Sequence, residues 1–461
     1  MTDRMNNIEQ IAHYVRSGEI RGLYTLLEDL HPADIAEILL ALDEEERKGL
    51  FRLLPKGLAA LVLNELDSDY FEELIGYLDL KERSQVLDEM SPDDMVDILS
   101  ELSDDRQSEI LGMMNVEEAR DVRELLDYDE DSAGGIMTKE YVAIRRDITV
   151  EEAIKELRYD APDAETIYYV YVVDHENRLV GVVSLRELIV SQPNTLIENI
   201  MREKVISVEL GMDQEDVARK VAKYDLLAIP VVDHENRLMG IVTVDDILDV
   251  IEEEASEDIF RFAGAVEAIG SEDKAFFAQI LFSVKSRLPW LIITLLGGMV
   301  SSQIINRYSS LIQTYANLAA YMPLLAGMGG NVGTQSSTLT VRAIAIGQID
   351  RDGIIRNIIQ ESLVGLLVGL VCGLGVAFVT LFQPQKDALI QGGLLAFMVG
   401  FAMCCNMVTA AAIGTMVPLA FKRFGIDPAV ASAPFISTTI DVTGLSIYFG
   451  LITFMLSIFF K

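Results

Sequence analysis

The segment Val173-Asp-His-Glu-Asn-Arg-Leu179 occurs a second time, unchanged, as Val232-Asp-His-Glu-Asn-Arg-Leu238, offset by 59 residues. Asp and Asn favour turns and β-branched runs flank both copies, so each copy predicts two strands joined by a hairpin turn. The predicted strands are Tyr168–Val173 with Leu179–Val183, and Ala228–Val232 with Leu238–Val242. The chain around the repeat therefore has an α/β organisation that is built twice.

Each predicted hairpin leads into a helix. Ser184-Leu-Arg-Glu187 and Thr243-Val-Asp-Asp246 match the Ser/Thr-x-x-Glu/Asp pattern of a capped helix start. Gly135-Ile-Met-Thr138 and Asn199-Ile-Met201 stand at the starts of the two copies. With these segments, the repeat resembles a tandem pair of CBS domains.

In CBS domains the Ser/Thr and the acid three residues later often hold the ribose of a nucleotide. The resemblance carries this role to Ser184, Thr243 and Asp246, while Glu187 stands where the family usually has Asp. Two interpretations remain open, binding of an adenine nucleotide such as ATP and plain capping of the two helices.

Residues 1–127 have apolar residues at three- and four-residue spacing, which predicts helices only. Leu30–Leu42 resembles Met90–Leu102, and in each segment a proline, Pro32 or Pro92, follows a residue suited to helix capping. Short repeated helices that cannot bury their apolar faces alone stack on their neighbours. We therefore expect a superhelix of antiparallel helical hairpins without a catalytic motif.

The charge is divided between two unlike parts of the chain. Residues 1–284 contain 27 basic and 66 acidic residues, whereas residues 285–461 contain 10 and 6. The acidic part lacks the basic surface that binding of nucleic acid requires. Its start is polar, so we expect no signal peptide and a cytosolic location. All three cysteines lie in the second part, so no disulfide framework is predicted.

The second part contains five long apolar segments, most of them longer than the roughly 20 residues that a membrane crossing needs. These predicted spans are Leu288–Asn306, Ala316–Ala345, Ile355–Phe382, Gly392–Leu419 and Ala429–Phe460. One predicted side carries Lys285, Arg287, Arg342, Arg351, Arg356, Lys422 and Arg423, and the other carries Arg307, Lys386 and Lys461. This bias predicts a multi-pass protein of the bacterial plasma (inner) membrane, with the acidic part in the cytosol and the C-terminus outside.

More than half of the residues from Asp245 to Asp258 are acidic and none is basic. Interleaved apolar residues predict a single helix, on which carboxylates three and four residues apart repel one another. A divalent cation would relieve that repulsion. We interpret this stretch as an ion site in preference to a solvated acidic face.

Asp441 lies inside the last predicted span, where a carboxylate is costly and indicates function. Pro434 lacks an N–H donor, and we expect it to free carbonyl groups near Ser437. The glycine-rich run Gly327–Thr338 predicts a break in the second span around Asn331, with close packing of small residues as the alternative. All four histidines lie outside the predicted spans, so the deep ligands are oxygens, which favour hard cations such as Mg²⁺ or Ca²⁺.

Over essentially its full length the chain resembles the MgtE-type magnesium transporters. The segments that carry the resemblance are Asp131–Thr138, Ala161–Tyr169, Pro323–Gln335 and Asp427–Gly444. The resemblance implies a homodimer with a helical N domain, tandem CBS domains, a connecting plug helix and a five-span pore domain. It also implies a hydrated pore ion near Asp441, with the carbonyl of Ser437 and the Asn331 region beside it.

The resemblance further implies cytosolic Mg²⁺ sites between the N domain, the CBS pair and the plug. The matching positions here are Asp93, Asp97, Glu215, Asp225, Asp246, Asp249, Glu254, Glu257 and Asp258. The chain departs from the family at Leu61, where the N domain of the family has a ligand, and at Thr334 and Ala433, where the family often has Asn.

The sequence thus predicts a multidomain fold in four parts. These are an all-α helical-hairpin superhelix at 1–127, an α/β tandem CBS pair at 128–252, an acidic connector or plug helix at 245–284 that overlaps the end of the CBS pair, and a five-helix α transmembrane domain at 285–461. The expected function is magnesium import through a channel-like path that cytosolic Mg²⁺ closes, and we expect no enzyme activity. A CBS-regulated secondary transporter for another divalent cation or for an organic solute is the alternative. Selectivity among Mg²⁺, Co²⁺, Mn²⁺ and Ca²⁺ stays open, as does channel against carrier.

Overall fold

A computed structural model of the protein describes residues 2–17, 19–27, 30–160, 164, 166–264, 276–345, 348–349, 353–382, 392–430 and 433–459. Parts of the matched segment Ala161–Tyr169 and of the connector, and Arg351, Lys386 and Lys461, lie outside the described residues. The chain divides into two compact units, Met1–Glu253 and Glu254–Lys461.

The first unit begins with helices only, as the apolar spacing predicts, and its described residues form ten of them. They are α1 Thr2–Ser17, α2 Ile20–Leu27, α3 Pro32–Ala41, α4 Glu44–Leu53, α5 Lys56–Asn64, α6 Ser68–Gly76, α7 Leu80–Leu87, α8 Pro92–Ser100, α9 Asp104–Leu111 and α10 Val116–Leu126. Pro32 and Pro92 each occupy the first turn of a helix, where a missing N–H breaks no helical bond. Leu39, Phe51 and Leu99 are fully buried between the helices and belong to one continuous core.

Strands and helices alternate through the rest of this unit. The order is β1 Tyr141–Arg145, α11 Val150–Asp160, β2 Thr166–Val173, β3 Leu179–Ser184, α12 Leu185–Val190, β4 Val208–Glu209, α13 Gln214–Tyr224, β5 Ala228–Val232, β6 Leu238–Thr243 and α14 Val244–Ala263. They form two three-stranded sheets with the orders β1-β2-β3 and β4-β5-β6, in which the first pair is parallel and the second antiparallel. Both predicted hairpins are confirmed.

The two copies of the repeated segment bond to each other. The backbone N–H of Leu179 donates to Asn236 at 2.8 Å, and that of Leu238 donates to Asn177 at 2.9 Å. The Asn177 amide donates to the carbonyl of Leu238 at 3.0 Å, and the Asn236 amide to that of Leu179 at 2.7 Å. Both asparagines have positive φ, 59° and 61°, a conformation that Asn tolerates better than most residues. The identical sequences of the two copies therefore have a structural reason, since each turn forms hydrogen bonds with the other copy.

Helix α14 contains the whole acidic stretch from Asp245 to Asp258 in one continuous helix, as predicted. Its first residues belong to the first unit and its last residues to the second.

The second unit consists of helices in its described residues. They are α15 Phe276–Arg307, α16 Ser309–Thr314, α17 Met322–Ala345, α18 Ile354–Phe382, α19 Gly392–Arg423 and α20 Ala433–Phe459. Four of them, α15, α18, α19 and α20, are long and apolar enough to cross a membrane. Helix α17 occupies the second predicted span, Ala316–Ala345, but is more polar, and it packs against α19 and α20.

Two expectations about this unit are wrong. Helix α17 is continuous through the glycine-rich run, and its glycines allow close helix contacts instead of a break. A Cβ on Gly333 would lie 1.9 Å from Ile440, and one on Gly414 would lie 2.2 Å from the carbonyl oxygen of Gly333. Pro434 stands in the first turn of α20, where it displaces no helical bond, and its carbonyl accepts hydrogen bonds from Ser437 and Thr438.

We expect Asn236→Ala to destabilise the first unit by about 2 kcal/mol. The change removes a side-chain hydrogen bond, and it places alanine at a positive φ that asparagine tolerates better. Asn236→Gly is the matched control, since it loses the same bond but relieves the backbone, and we expect a smaller loss. Thermal unfolding of the purified protein checks the order. Equal melting temperatures for the wild type and Asn236→Ala would contradict the role of the paired turns.

Candidate functional site

A cavity of about 620 Å³ opens in the first unit between the helical part and the start of α14. Of the described residues that line it, eleven are acidic and none is basic. The acidic lining residues are Glu65, Asp67, Glu89, Asp93, Asp94, Asp97, Glu101, Glu140, Asp245, Asp246 and Asp249. We call this site the acidic cavity.

Helix geometry places the carboxylates in facing rows. Asp93 and Asp97 are four residues apart on α8, and Asp246 and Asp249 are three apart on α14, so each pair shares one helix face. The charge of Asp246 acts on Asp97, and that of Asp93 acts on Asp246. Like charges therefore repel both along and between the two helices.

Burial and this repulsion both raise the pKa values of the carboxyl groups in the acidic cavity. Burial, followed by the charges of Asp93 and Asp246, raises the pKa of Asp97 to about 7. Burial outweighs the hydrogen bond from Thr243 and raises the pKa of Asp246 to about 6. Asp97 is exposed and lines the cavity, so water partly screens the repulsion at this position. Bound protons or cations would reduce the repulsion further.

Asp93 is the most buried of these acids, with 9 % of its surface exposed. Burial and the neighbouring charge of Asp94 raise its pKa, and its Oδ1 atom has no hydrogen-bond partner in the described part of the chain. A buried carboxylate oxygen without a partner is costly, and a bound cation or water would satisfy it.

Direct ligation by a preformed set of side chains is not seen. Among the described residues, no three His, Cys, Asp or Glu side chains stand close enough to hold a metal ion directly. Mg²⁺ dehydrates reluctantly and often keeps several waters in protein sites. A wide, base-free cavity of carboxylates fits such a hydrated ion better than a dehydrated one.

The structure brings only part of the predicted cytosolic set together. Asp93, Asp97, Asp246 and Asp249 line the acidic cavity, as does Leu61, the position at which the chain departs from the family. Glu215 and Asp225 stand at opposite ends of α13 and do not line it, and Glu215 pairs with Arg219. Glu254, Glu257 and Asp258 belong to the second unit.

In the second unit, Ser437 and Asp441 lie one turn apart on α20. A Cβ on Gly330 of α17 would lie 3.6 Å from the Cβ of Ser437, which places the neighbouring Asn331 on an adjacent, exposed part of α17. Within the described residues, Asp441 forms no ion pair and no side-chain hydrogen bond. Two of the three predicted pore residues, Ser437 and Asp441, thus share α20, and Asn331 lies on the neighbouring helix α17.

Two contacts escaped the sequence analysis. Arg261, in the last turn of α14, pairs with Glu257 and donates to Asp427 at 2.7 Å. The i,i+4 spacing of Glu257 and Arg261 is readable in the sequence, whereas Asp427 is 166 residues away. Asn406 of α19 is buried and donates to the carbonyl of Leu325 at 2.8 Å, tying α19 to α17.

The two nucleotide candidates are arranged as helix caps. Ser184 and Glu187 form a complete capping box, and Arg202 occupies the second oxygen of Glu187. Thr243 donates its hydroxyl to Asp246 at 2.5 Å. Asp246 thus belongs both to this cap and to the acidic cavity.

Comparison with known proteins identifies the parts. Residues 322–451 match the family described as "Divalent cation transporter", MgtE, and residues 30–131 match the "MgtE intracellular N domain". Residues 133–193 and 197–253 each match the CBS domain. The chain is 40% identical to the magnesium transporter MgtE of Thermus thermophilus over 448 residues, which are 96% of this chain and 97% of that protein. The chain belongs to the MgtE family of magnesium transporters.

Two solved structures match the N domain and the CBS pair. One is the soluble part of a magnesium transporter, with 39% identity and a TM-score of 0.52 over 55% of this chain and 99% of that one. The other is the cytosolic domain of the Mg²⁺ channel MgtE in complex with ATP, with 43% identity and a TM-score of 0.50 over 53% and 99%. The predicted N domain and tandem CBS pair are confirmed, and MgtE relatives are named as transporters and not as enzymes.

The raised pKa values predict how pH and Mg²⁺ act together. Asp97 and Asp246 bind protons more tightly in the folded state than when unfolded, so without Mg²⁺ stability falls as pH rises from about 4 to about 7. Mg²⁺ competes with those protons, and we expect it to raise the melting temperature more at pH 8 than at pH 6. Thermal unfolding in Mg²⁺ or EDTA measures this. Two results would contradict Mg²⁺ binding in the acidic cavity. One is an equal rise in melting temperature with Mg²⁺ at pH 6 and pH 8, and the other is an unchanged difference between the two pH values in the double variant Asp97→Asn with Asp246→Asn.

Proposed function

We propose that this MgtE-family protein imports Mg²⁺ across the bacterial plasma membrane through a channel-like path, and that cytosolic Mg²⁺ closes the path by binding in the acidic cavity. The observation that carries the proposal is the set of eleven carboxylates in the described lining, with no basic residue among them, whose mutual repulsion a bound cation would relieve. The identity of the transported ion, Mg²⁺, is inferred from family membership.

Five helices cross the membrane in this proposal. Helix α17 has 24 residues, and at 1.5 Å per residue it is about 36 Å long, enough for a hydrocarbon core of about 30 Å. Its polar residues then face the ion path, which explains why it is less apolar than the other four. Five crossings place the C-terminus outside when the acidic first unit is cytosolic.

Asp441 holds the hydrated ion in transit, with Ser437 and Asn331 beside it. The membrane potential drives entry, since two charges gain roughly 4 to 5 kcal/mol per 100 mV. The membrane potential can therefore drive Mg²⁺ entry without a pump step that consumes a nucleotide.

Closure follows from differential binding. Mg²⁺ in the acidic cavity stabilises the arrangement in which α8 and α14 lie close together, and its loss lets like charges separate them. An ion shifts the gate only by the difference between its affinities for the two states, so several weak sites must act together. Further weak Mg²⁺ sites outside the acidic cavity use the other predicted acids, Glu215, Asp225, Glu254, Glu257 and Asp258.

Three finer points complete the proposal. The protein is a homodimer, and its parts follow the boundaries 1–127, 128–252, 245–284 and 285–461, with the connector as plug.

ATP binds at Thr243 and Asp246, in line with the ATP complex of the related cytosolic domain. The alternative, a CBS-regulated secondary transporter for another divalent cation or an organic solute, predicts competition of Mg²⁺ uptake by that solute.

Asp441→Asn removes the only carboxylate of α20 and keeps its shape. We expect Mg²⁺ uptake by liposomes to fall at least tenfold, because the amide cannot offset the charge of the ion. Ser446→Ala on the same helix is the matched control, since Ser446 bonds only to the carbonyl of Val442 in its own helix, and we expect normal uptake. Normal uptake by Asp441→Asn would remove Asp441 from the path.

The second prediction separates gating from permeation. With Asp93, Asp97 and Asp246 all changed to Asn, we expect currents in patch recordings to persist at a cytosolic Mg²⁺ concentration that closes the wild type. Asp104→Asn, Asp105→Asn and Glu117→Gln together make the same charge change outside the acidic cavity and should close normally. If the cavity variant closed at the wild-type concentration, the sensor role would be refuted while the pore assignment stood.

A further inference from the structure

A second cavity of about 610 Å³ lies in the membrane unit, where α18 begins and α19 ends. Among the described residues, three aliphatic side chains and two basic ones line it, namely Ile349, Ile354, Leu419, Lys422 and Arg423. The charged residues of this described lining are basic, in contrast to those of the acidic cavity, and neither permeation nor gating by a cation uses them.

The two basic residues are held in place by the end of their helix. Gly425 has a φ of 73°, and the N–H of Ile426 donates to the carbonyl of Phe421 at 3.0 Å, so α19 ends in a glycine-capped motif. Lys422 and Arg423 occupy the last turn before this cap. In the described part of the chain neither forms an ion pair, and both side chains are exposed.

The surroundings of the cavity are apolar. Ile355 is 71% exposed and Phe424 is 75% exposed, and both adjoin lining residues in the chain. Leu419, by contrast, is buried at the base of the cavity. A ligand here meets a cationic rim and an aliphatic wall at the end of two membrane-crossing helices.

We propose that this cavity binds the headgroup of an anionic phospholipid, with its phosphate between Lys422 and Arg423 and the first part of an acyl chain against Ile349, Ile354 and Leu419. Basic pockets between membrane helices at the cytosolic side are suited to such headgroups. A free inorganic phosphate would use the two cations but gain nothing from the aliphatic wall, so the lining favours the lipid. A plain interfacial anchor needs exposed cations but no cavity beside them.

Native mass spectrometry of the full-length protein tests the site, with phosphatidylglycerol, phosphatidylcholine or inorganic phosphate added in turn. We expect retention of phosphatidylglycerol in preference to the other two. Lys422→Gln with Arg423→Gln should weaken that retention roughly thirty-fold, because each basic group contributes severalfold to anionic lipid binding. Lys422→Arg with Arg423→Lys keeps both charges and should retain the lipid, which shows that the sites of substitution tolerate change.

Lys285→Gln with Arg342→Gln removes two basic residues outside the cavity and should leave retention unchanged. Four results would overturn the proposal, three of them from the wild type and this control. These are equal retention of phosphatidylcholine by the wild type, an equal loss in this control, and inorganic phosphate bound as tightly as the lipid. A Lys422→Gln/Arg423→Gln protein that elutes normally in size-exclusion chromatography and still retains phosphatidylglycerol would overturn it as well.

Discussion

Repulsion between carboxylates is the constraint on which the first unit depends. Asp93, Asp97 and Asp246 face one another across the acidic cavity, and burial together with their mutual charge raises the pKa of Asp97 to about 7. Bound positive charge would relieve this repulsion and stabilise the close arrangement of α8 and α14. In our proposal a divalent cation supplies two positive charges at once, and the resulting dependence of the stability of this unit on Mg²⁺ concentration is the sensor.

The membrane unit uses a carboxylate in the opposite way. Asp441 stands alone on α20 among small and hydroxylated residues, and no described basic residue pairs with it. Close contacts at Gly329, Gly333 and Gly414 bring α17, α19 and α20 together around this region. In the proposed function, the acidic cavity supplies many weak ligands for the ions that close the path, and the membrane unit supplies one carboxylate for the ion in transit.

Much of the fold could be predicted from the sequence because its signals are local. The hairpins follow from the repeated turn, the helical character of residues 1–127 from apolar spacing and proline positions, and α14 from its interleaved pattern. The bonds between Asn177 and Asn236 and the opposite repeat, and the contact of Arg261 with Asp427, could not be predicted, because they join residues far apart in the chain. The glycine-rich run of α17 was misread as a break because glycine permits both a break and close packing, and only the neighbouring helices decide between them. Likewise, the acidic residues of α8 and α14 could be proposed as ligands from the sequence. That they line the same cavity depends on tertiary structure and could not be predicted. The same tertiary structure leaves Glu215 and Asp225 outside the acidic cavity.

The central claim is that Mg²⁺ on the side of the first unit closes the path. Mg²⁺ influx into liposomes at a clamped membrane potential tests it most directly, with the protein oriented so that the first unit faces the lumen and with luminal Mg²⁺ varied at constant driving force. Our account predicts that influx falls steeply as luminal Mg²⁺ rises. Influx that is independent of luminal Mg²⁺ would contradict it.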